Sequence, residues 1–364
     1  MAKSSGKRII HLTAVGSSAQ RDVDRLGGFD AMMRLAREGV GEAFEVRANR
    51  KFIYAHHDKR TGSRLDDAER AREVQTLLAD DRVAAIVTVR GGAWFTRILD
   101  RIDFDVLRKR TKPVYLFGFS EMTTLIAITG QYPTAVALYD LGPGYLYGGA
   151  LRYARKNFET LADALELRRK HRKGFSTGWA LARYPDSFRD FFRDVAAIVT
   201  GRGSSRVPSG RLLQGTIPAE QEITITGGTL SVMLPLVASK YASAVDTTGK
   251  WLAIEDINEA ADPIDRMMAT LKLSGHIERA AGIILGDFHD NEVELSEVAY
   301  GLLKHHLPAG RKMPVIMLDN FGHTYPIAPL PIGRPVILRR EPGRASEPRV
   351  TIDIPWSRWT EVGS

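Results

Sequence analysis

Val114-Tyr115-Leu116-Phe117-Gly118-Phe119-Ser120-Glu121-Met122-Thr123 carries the reading on which the rest of the chain depends. An apolar β-type run ends at Phe117 and a helical pattern begins almost at once, with no loop long enough to relax the bend. A strand that turns into a helix so abruptly is a joint of an α/β sheet, and a serine at that bend stands exposed above the sheet. The next backbone N–H, that of Glu121, points to where an oxyanion would form at the helix N-terminus. Ser120 is therefore a candidate nucleophile. Taken alone it reads more simply as a helix N-cap. Met122 also stands where the G-x-S-x-G elbow has its second glycine, so this is not the ordinary α/β-hydrolase signature.

Working outward, short β-rich runs alternate with helical patterns: strands over 9–15, 44–46, 84–89, 114–117 and 135–139, helices over 28–38 and 65–80, and a short helix over 104–110. This alternation predicts an open, mostly parallel sheet built from βαβ units. Residues 148–205 differ, with few β-type runs, Phe158, Phe188, Phe191 and Phe192 in a helical context, and a basic run from Arg168 to Lys173. Beyond them the pattern is mixed: strands near 212–215, 223–225, 251–254, 282–285, 315–318, 335–338 and 350–354, with helices over 229–240, 263–273 and 296–305. The expected organisation is an N-terminal α/β nucleophile domain (1–147), a helical connection (148–205) and a C-terminal mixed α+β domain (206–364).

Composition narrows the function classes. The 364 residues hold 51 Lys plus Arg against 43 Asp plus Glu, a net charge of +8, and no Cys. Without Cys there is no disulfide framework, thiolate zinc site or cysteine nucleophile, which leaves Ser, Thr, Lys or a carboxylate for covalent catalysis. Acids and bases are interspersed along most of the chain, so nucleic acid is not a favoured partner. Lys3, Lys7 and Arg8 ahead of Ile9 to Val15 superficially resemble a secretion signal, but that apolar stretch is short and contains His11 and Thr13; it reads as a first buried strand of mature protein. The longest uncharged run, Met122 to Tyr139, is broken by Thr129-Gly130-Gln131-Tyr132-Pro133, and no transmembrane segment is expected.

Other strand ends bear on the chemistry. Val87-Thr88-Val89-Arg90-Gly91-Gly92-Ala93-Trp94 closes a β-run with paired glycines, which allow close backbone approach to a ligand and suit a second oxyanion donor. A nucleophilic serine needs a base and the base an orienting acid. Of the nine histidines, His56 and His57 lie in a polar loop, His171 in the basic run, and His305 and His306 at a helix end. His323, in Asn320-Phe321-Gly322-His323-Thr324-Tyr325-Pro326, sits in a loop after a strand, as a side chain delivered into a site does. Leu252-Ala253-Ile254-Glu255-Asp256-Ile257-Asn258-Glu259 places carboxylates at another strand end, and either Glu255 or Asp256 suits the acid. A metal hydrolase on Asp287, His289 and Asp290 is the weaker reading, because that run lacks a second positioned His.

Together Arg90-Gly91-Gly92, Gly118-Phe119-Ser120-Glu121, Ile254-Glu255-Asp256-Ile257-Asn258-Glu259 with Ile264-Asp265-Arg266-Met267, Ile283-Ile284-Leu285-Gly286, and Phe321-Gly322-His323 with Leu330-Pro331-Ile332-Gly333 resemble the LD-carboxypeptidase family. That family includes muramoyltetrapeptide carboxypeptidases and microcin C immunity peptidases. The resemblance implies a serine peptidase with a Ser-His-Glu triad on Ser120, His323 and Glu255, and oxyanion donors from Gly91, Gly92 and the Glu121 N–H. It further implies an active site at a domain junction, a cytoplasmic homodimer acting on a small peptide, and neither cofactor nor metal. Its murein members release the terminal D-alanine of a tetrapeptide across an L,D bond.

Several departures touch substrate identity. Glu121 stands where the family usually has Asp, Ala93-Trp94-Phe95 follows the paired glycines, and Asp140-Leu141-Gly142-Pro143 replaces the frequent His-Gly-Pro. The 148–205 segment is longer than usual, and 218–225 looks inserted. Arg90, Arg97 and the basic run are candidates for the substrate carboxylate. The alternative substrate is a peptidyl- or acyl-aminoacyl-nucleotide amide, on whose base Trp94, Trp179 or Tyr325 would stack. A non-catalytic binding protein for anionic cell-wall fragments or nucleic acid is the reading from another class.

Overall fold

The computed structural model describes residues 6–55, 67–164, 169–291, 293–310, 312–341 and 348–361, and of 159–172 the backbone at most. His56, His57 and the side chains of the basic run from Arg168 to Arg172 lie outside the described residues. The chain divides into two compact units: Met1–Phe117 with Gly142–Ser204 and Ser357–Ser364, and Gly118–Leu141 with Ser205–Trp356.

In the first unit β1 (Arg8–Thr13), β2 (Phe44–Ala48), β3 (Val83–Thr88) and β4 (Val114–Gly118) run parallel in the order β2-β1-β3-β4. Every residue of β3 is buried, as a central parallel strand covered on both faces requires. The helix Phe29–Val40 turns Met32, Met33, Leu35, Ala36 and Val40 inward at helical spacing. A Cβ on its Gly39 would lie 2.3 Å from the carbonyl of Arg189, so only glycine lets this helix pack directly on the helix Arg169–Val199. That long helix and Leu146–Ala164 make up the helical segment. Its Phe188, Phe191 and Phe192 are buried, with Phe191 edge-on to Phe117 of β4 at 6.2 Å.

In the second unit the helix Thr123–Thr129 is buried throughout, and β5 (Ala135–Tyr139) pairs antiparallel with β12 (Leu330–Ile332). The other strands are β6 (Ser209–Gln214), β7 (Glu220–Thr229), β8 (Trp251–Ile257), β9 (Gly282–Asp290), β10 (Val293–Glu294), β11 (Val315–Leu318), β13 (Pro335–Arg340) and β14 (Arg349–Asp353). Their pairing runs β9-β11-β6-β14-β13-β7-β8 and returns to β9, a closed ring with β10 as a hairpin on β9. Closure leaves few free sheet edges. The side from β7 through β8 and β9 to β11 is parallel, and the remaining pairs are antiparallel.

The α/β class and most strand positions follow the sequence reading. β7 is longer than the expected 223–225, and the helix expected over 229–240 ends at Val237, two residues after Pro235. β12 carries Pro331 and lies at an edge, the setting in which a sheet accommodates a residue without an N–H. Among the described residues, no helix is long and apolar enough to cross a membrane.

Candidate active site

The β4 strand stops at Gly118, Phe119 is extended (φ −151°, ψ 176°), and Ser120 adopts φ +56° before a 3-10 turn over Ser120–Met122 leads into the helix Thr123–Thr129. A positive φ is sterically disfavoured for a residue with a Cβ, and such strain concentrates at functional positions. The bend leaves little chain between the strand ending at Gly118 and the helix, whose β-branched residues (Thr123, Thr124, Ile126, Ile128, Thr129) are all buried, so tertiary burial and not intrinsic propensity favours the helix. Ser120 is half-buried, whereas Glu121 is buried.

Glu255 lies near the end of β8 and is fully buried. The parallel register sets Thr229 of β7 opposite it. The Thr229 hydroxyl donates to Glu255 Oε1 at 2.6 Å, and the Tyr139 hydroxyl, from the end of β5, donates to the same oxygen at 2.6 Å. The other oxygen, Oε2, lies 2.7 Å from His323 Nδ1, and His323 is 2% exposed. Gly322 brings the imidazole in: it has φ +107°, and a Cβ there would stand 3.0 Å from Glu255 Oε2. The Phe119 ring packs 5.2 Å from the imidazole at 58°. The Ser120 N–H reaches the Tyr139 hydroxyl at 3.4 Å. Ser120, Tyr139, Thr229, Glu255 and His323 thus gather in one unit, and the carboxylates of 255 and 256 separate.

Asp256 faces the opposite way, as strand alternation dictates. It accepts the Ser231 N–H at 2.7 Å and its own neighbour's, Ile257, at 2.8 Å. Of the two carboxylates left open by the sequence, only Glu255 meets the histidine.

Burial by itself would push the Glu255 carboxyl up, but the charge of His323 and the hydrogen bonds from His323, Thr229 and Tyr139 outweigh it and hold the group below its ordinary value. Glu255 is therefore an acceptor only, so its contact with His323 requires a proton on Nδ1, and in the neutral imidazole Nε2 is then the accepting nitrogen. Burial, and then the neighbouring Glu255 charge, push the Asp256 carboxyl up to about 6.

The remaining predicted residues occupy other settings. In the first unit Arg90 is ion-paired to Asp22, which also takes Arg25 at 3.1 Å. The Gly91 carbonyl accepts from Ser17 at 3.0 Å, and Gly92 is exposed with φ +112°. Trp94 has φ +71°; its carbonyl takes the buried Arg70 at 2.8 Å and its ring lies 4.4 Å from the Arg97 guanidinium. Tyr325, half-buried, precedes a cis proline in the second unit. His289 contacts Asp287 at 3.1 Å, but among the described residues no group of three or more His, Asp or Glu is placed to hold a metal ion. Sequence reasoning passed over Tyr139 and Thr229. The available signal was a polar residue at the carboxyl end of each strand, where open α/β sheets build their sites.

The profile of the LD-carboxypeptidase N-terminal domain matches residues 10–139, and that of the C-terminal domain matches residues 223–338. Among curated proteins the chain is 28% identical over 274 residues to a probable murein peptide carboxypeptidase of Bacillus subtilis, covering 73% of this chain and 72% of that one. It is 23% identical over 273 residues to the microcin C7 self-immunity protein MccF of Escherichia coli, covering 73% and 74%. Among solved structures, muramoyltetrapeptide carboxypeptidase from Oxalobacter formigenes shares the fold with a TM-score of 0.57 at 20% identity, over 95% of this chain and 99% of that one. MccF in complex with glutamyl sulfamoyl guanosine does so with a TM-score of 0.60 at 16% identity, over 95% and 96%. The protein is a serine-type carboxypeptidase. It belongs to the LD-carboxypeptidase family.

Proposed function

We propose that this chain is an L,D-carboxypeptidase that releases the terminal D-alanine of murein tetrapeptides in cell-wall recycling, with Ser120 as nucleophile, His323 as base and Glu255 as the orienting acid. The observation that carries the reading is the buried Glu255–His323 contact at 2.7 Å, in the same unit as a serine held at φ +56°. His323 Nε2 takes the Ser120 Oγ proton as Oγ bonds to the scissile carbonyl carbon. The Glu121 N–H stabilises the oxyanion, and the proton passes from His323 to the departing amino group of D-alanine. Water, deprotonated by the same imidazole, then attacks the acyl-enzyme and restores Ser120. The names borne by the Bacillus subtilis and Oxalobacter formigenes relatives support murein peptide as the substrate class. A cytoplasmic homodimer accompanies this reading as the family's usual form.

The test is D-alanine release from murein tetrapeptide by wild type and Ser120→Ala, with and without EDTA. EDTA-resistant release that falls by about 10³-fold or more in Ser120→Ala is expected. No release by well-folded wild type refutes the murein substrate and directs the assay to peptidyl-nucleotide amides, the class to which the glutamyl sulfamoyl guanosine bound by MccF is akin.

A further inference from the structure

We infer that Tyr139 is a positioning residue for catalysis: its single hydroxyl joins the backbone of the Ser120 turn to the orienting carboxylate Glu255, with Thr229 as a second support for the same oxygen. This inference rests on the triad proposed above and adds to it the groups that hold the acid in place.

The argument is one of donor capacity. Tyr139 and Thr229 each have one hydroxyl proton, and each oxygen lies 2.6 Å from Glu255 Oε1. An ionised carboxylate can only accept, so both protons are committed to Oε1. The 3.0 Å approach between the two hydroxyls is then a consequence of sharing that acceptor, not a further bond. Tyr139 retains its lone pairs, and its oxygen accepts from the Ser120 N–H at an N···O distance of 3.4 Å. The hydroxyl that secures the acid therefore also tethers the nucleophile's backbone at its positive φ. With Oε1 occupied twice, Oε2 is left for His323.

Burial, reinforced by the adjacent Glu255 charge, pushes the Tyr139 phenol well above its ordinary value, so it remains a donor throughout the working pH range. Among the described residues, the titratable groups that act on Glu255 include His323, Tyr139 on β5 and the adjacent Asp256 on β8. Tyr139 donates directly to the Glu255 carboxylate, at 2.6 Å. Hydrogen bonding to the charged form of an acid lowers its pKa, so removing the phenol raises the proton affinity of the Glu255–His323 pair. The acid limb of the rate profile must then move to higher pH.

The experiment measures the rate at which a fluorophosphonate modifies Ser120, across pH, in wild type, Ser120→Ala, Tyr139→Phe and Thr229→Val. This probe reports nucleophile activation whatever the physiological substrate. Labelling of wild type but not of Ser120→Ala, with labelling of Tyr139→Phe about ten-fold to a hundred-fold slower and an acid limb displaced upward, is expected, since a hydrogen bond to a charged group is at stake. Thr229→Val is expected to move the limb the same way, and it answers the question if Tyr139→Phe fails to fold. An unchanged rate and limb in Tyr139→Phe, or in Thr229→Val where the first variant is unfolded, overturns the positioning role and leaves the triad standing. Labelling that persists in Ser120→Ala overturns the triad and the positioning role with it.

Discussion

Replacing Glu255 by Gln asks whether this residue sets the histidine tautomer. The amide has nearly the shape of the carboxylate but offers one acceptor oxygen and one donor nitrogen, so it can be seated in two ways. With its oxygen in the Oε1 position it keeps the bonds from Tyr139 and Thr229, both 2.6 Å at present, and turns its NH₂ toward His323 Nδ1. Seated the other way, the NH₂ faces two hydroxyls whose protons already point at it, and both must reorient. The first seating is favoured by one or two hydrogen bonds, about 1–3 kcal/mol, which is roughly five-fold to more than a hundred-fold in population. In it Nδ1 accepts, the imidazole proton moves to Nε2, and the base no longer has a lone pair for Ser120. A comparable amide substitution in a Ser-His-Asp triad costs about 10⁴ in kcat, and a loss of that order is expected here. Because all three contacts remain, unfolding free energy should change by no more than about 1 kcal/mol. Kinetics on D-alanine release, with ¹⁵N shifts of the His323 ring, check both halves. A variant that retains kcat within ten-fold, or one whose Nδ1 keeps its proton, refutes the reasoning.

Two further outcomes concern stability. Asp140 is fully buried and held in a two-pronged pair by Arg206, with both Nη–Oδ distances at 2.9 Å. Arg206→Met should cost about 3–5 kcal/mol by removing the charge paired with that buried carboxylate, and adding Asp140→Asn should restore much of it; a single-variant loss under about 1 kcal/mol in urea unfolding counts against the pair. Asp256 has its carboxyl raised from 3.8 to about 6, so the stability it contributes is fully present below about pH 4 and is lost as pH rises through about 6. Asp256→Asn should therefore gain on wild type in unfolding midpoint across that window, a trend opposite in sign to that of Glu255, whose lowered carboxyl favours folding at higher pH. A difference that stays flat with pH shows that Asp256 does not titrate there.

The long periodic elements were readable because their burial is decided locally. The run from Val83 to Val87 is apolar at every position, and helix 29–40 shows its inward face in spacing alone. Elements whose partners are remote were not. β12, with Pro331, pairs with β5 nearly two hundred residues earlier, and Phe191 of the helical segment does not announce that it packs against Phe117.

The candidate site divides along the same line. Ser120 and His323 could be picked out from the chain because a tight strand-to-helix bend and a Gly-flanked loop after a strand are local features with chemical meaning. The choice between Glu255 and Asp256 was not local: adjacent residues on a strand point to opposite faces, and which face meets His323 depends on how β8 lies in its sheet. Tyr139 and Thr229 looked like ordinary strand residues until the parallel register of β7 with β8 and the position of β5 brought both hydroxyls to one carboxylate oxygen. Sequence by itself thus determined the class of fold, the residue types available for catalysis and the places where the chain bends. Tertiary structure alone decided which carboxylate meets His323 and what holds it, because hydrogen-bond partners 26, 68 and 116 residues away along the chain are selected by strand register and not by any spacing in the sequence.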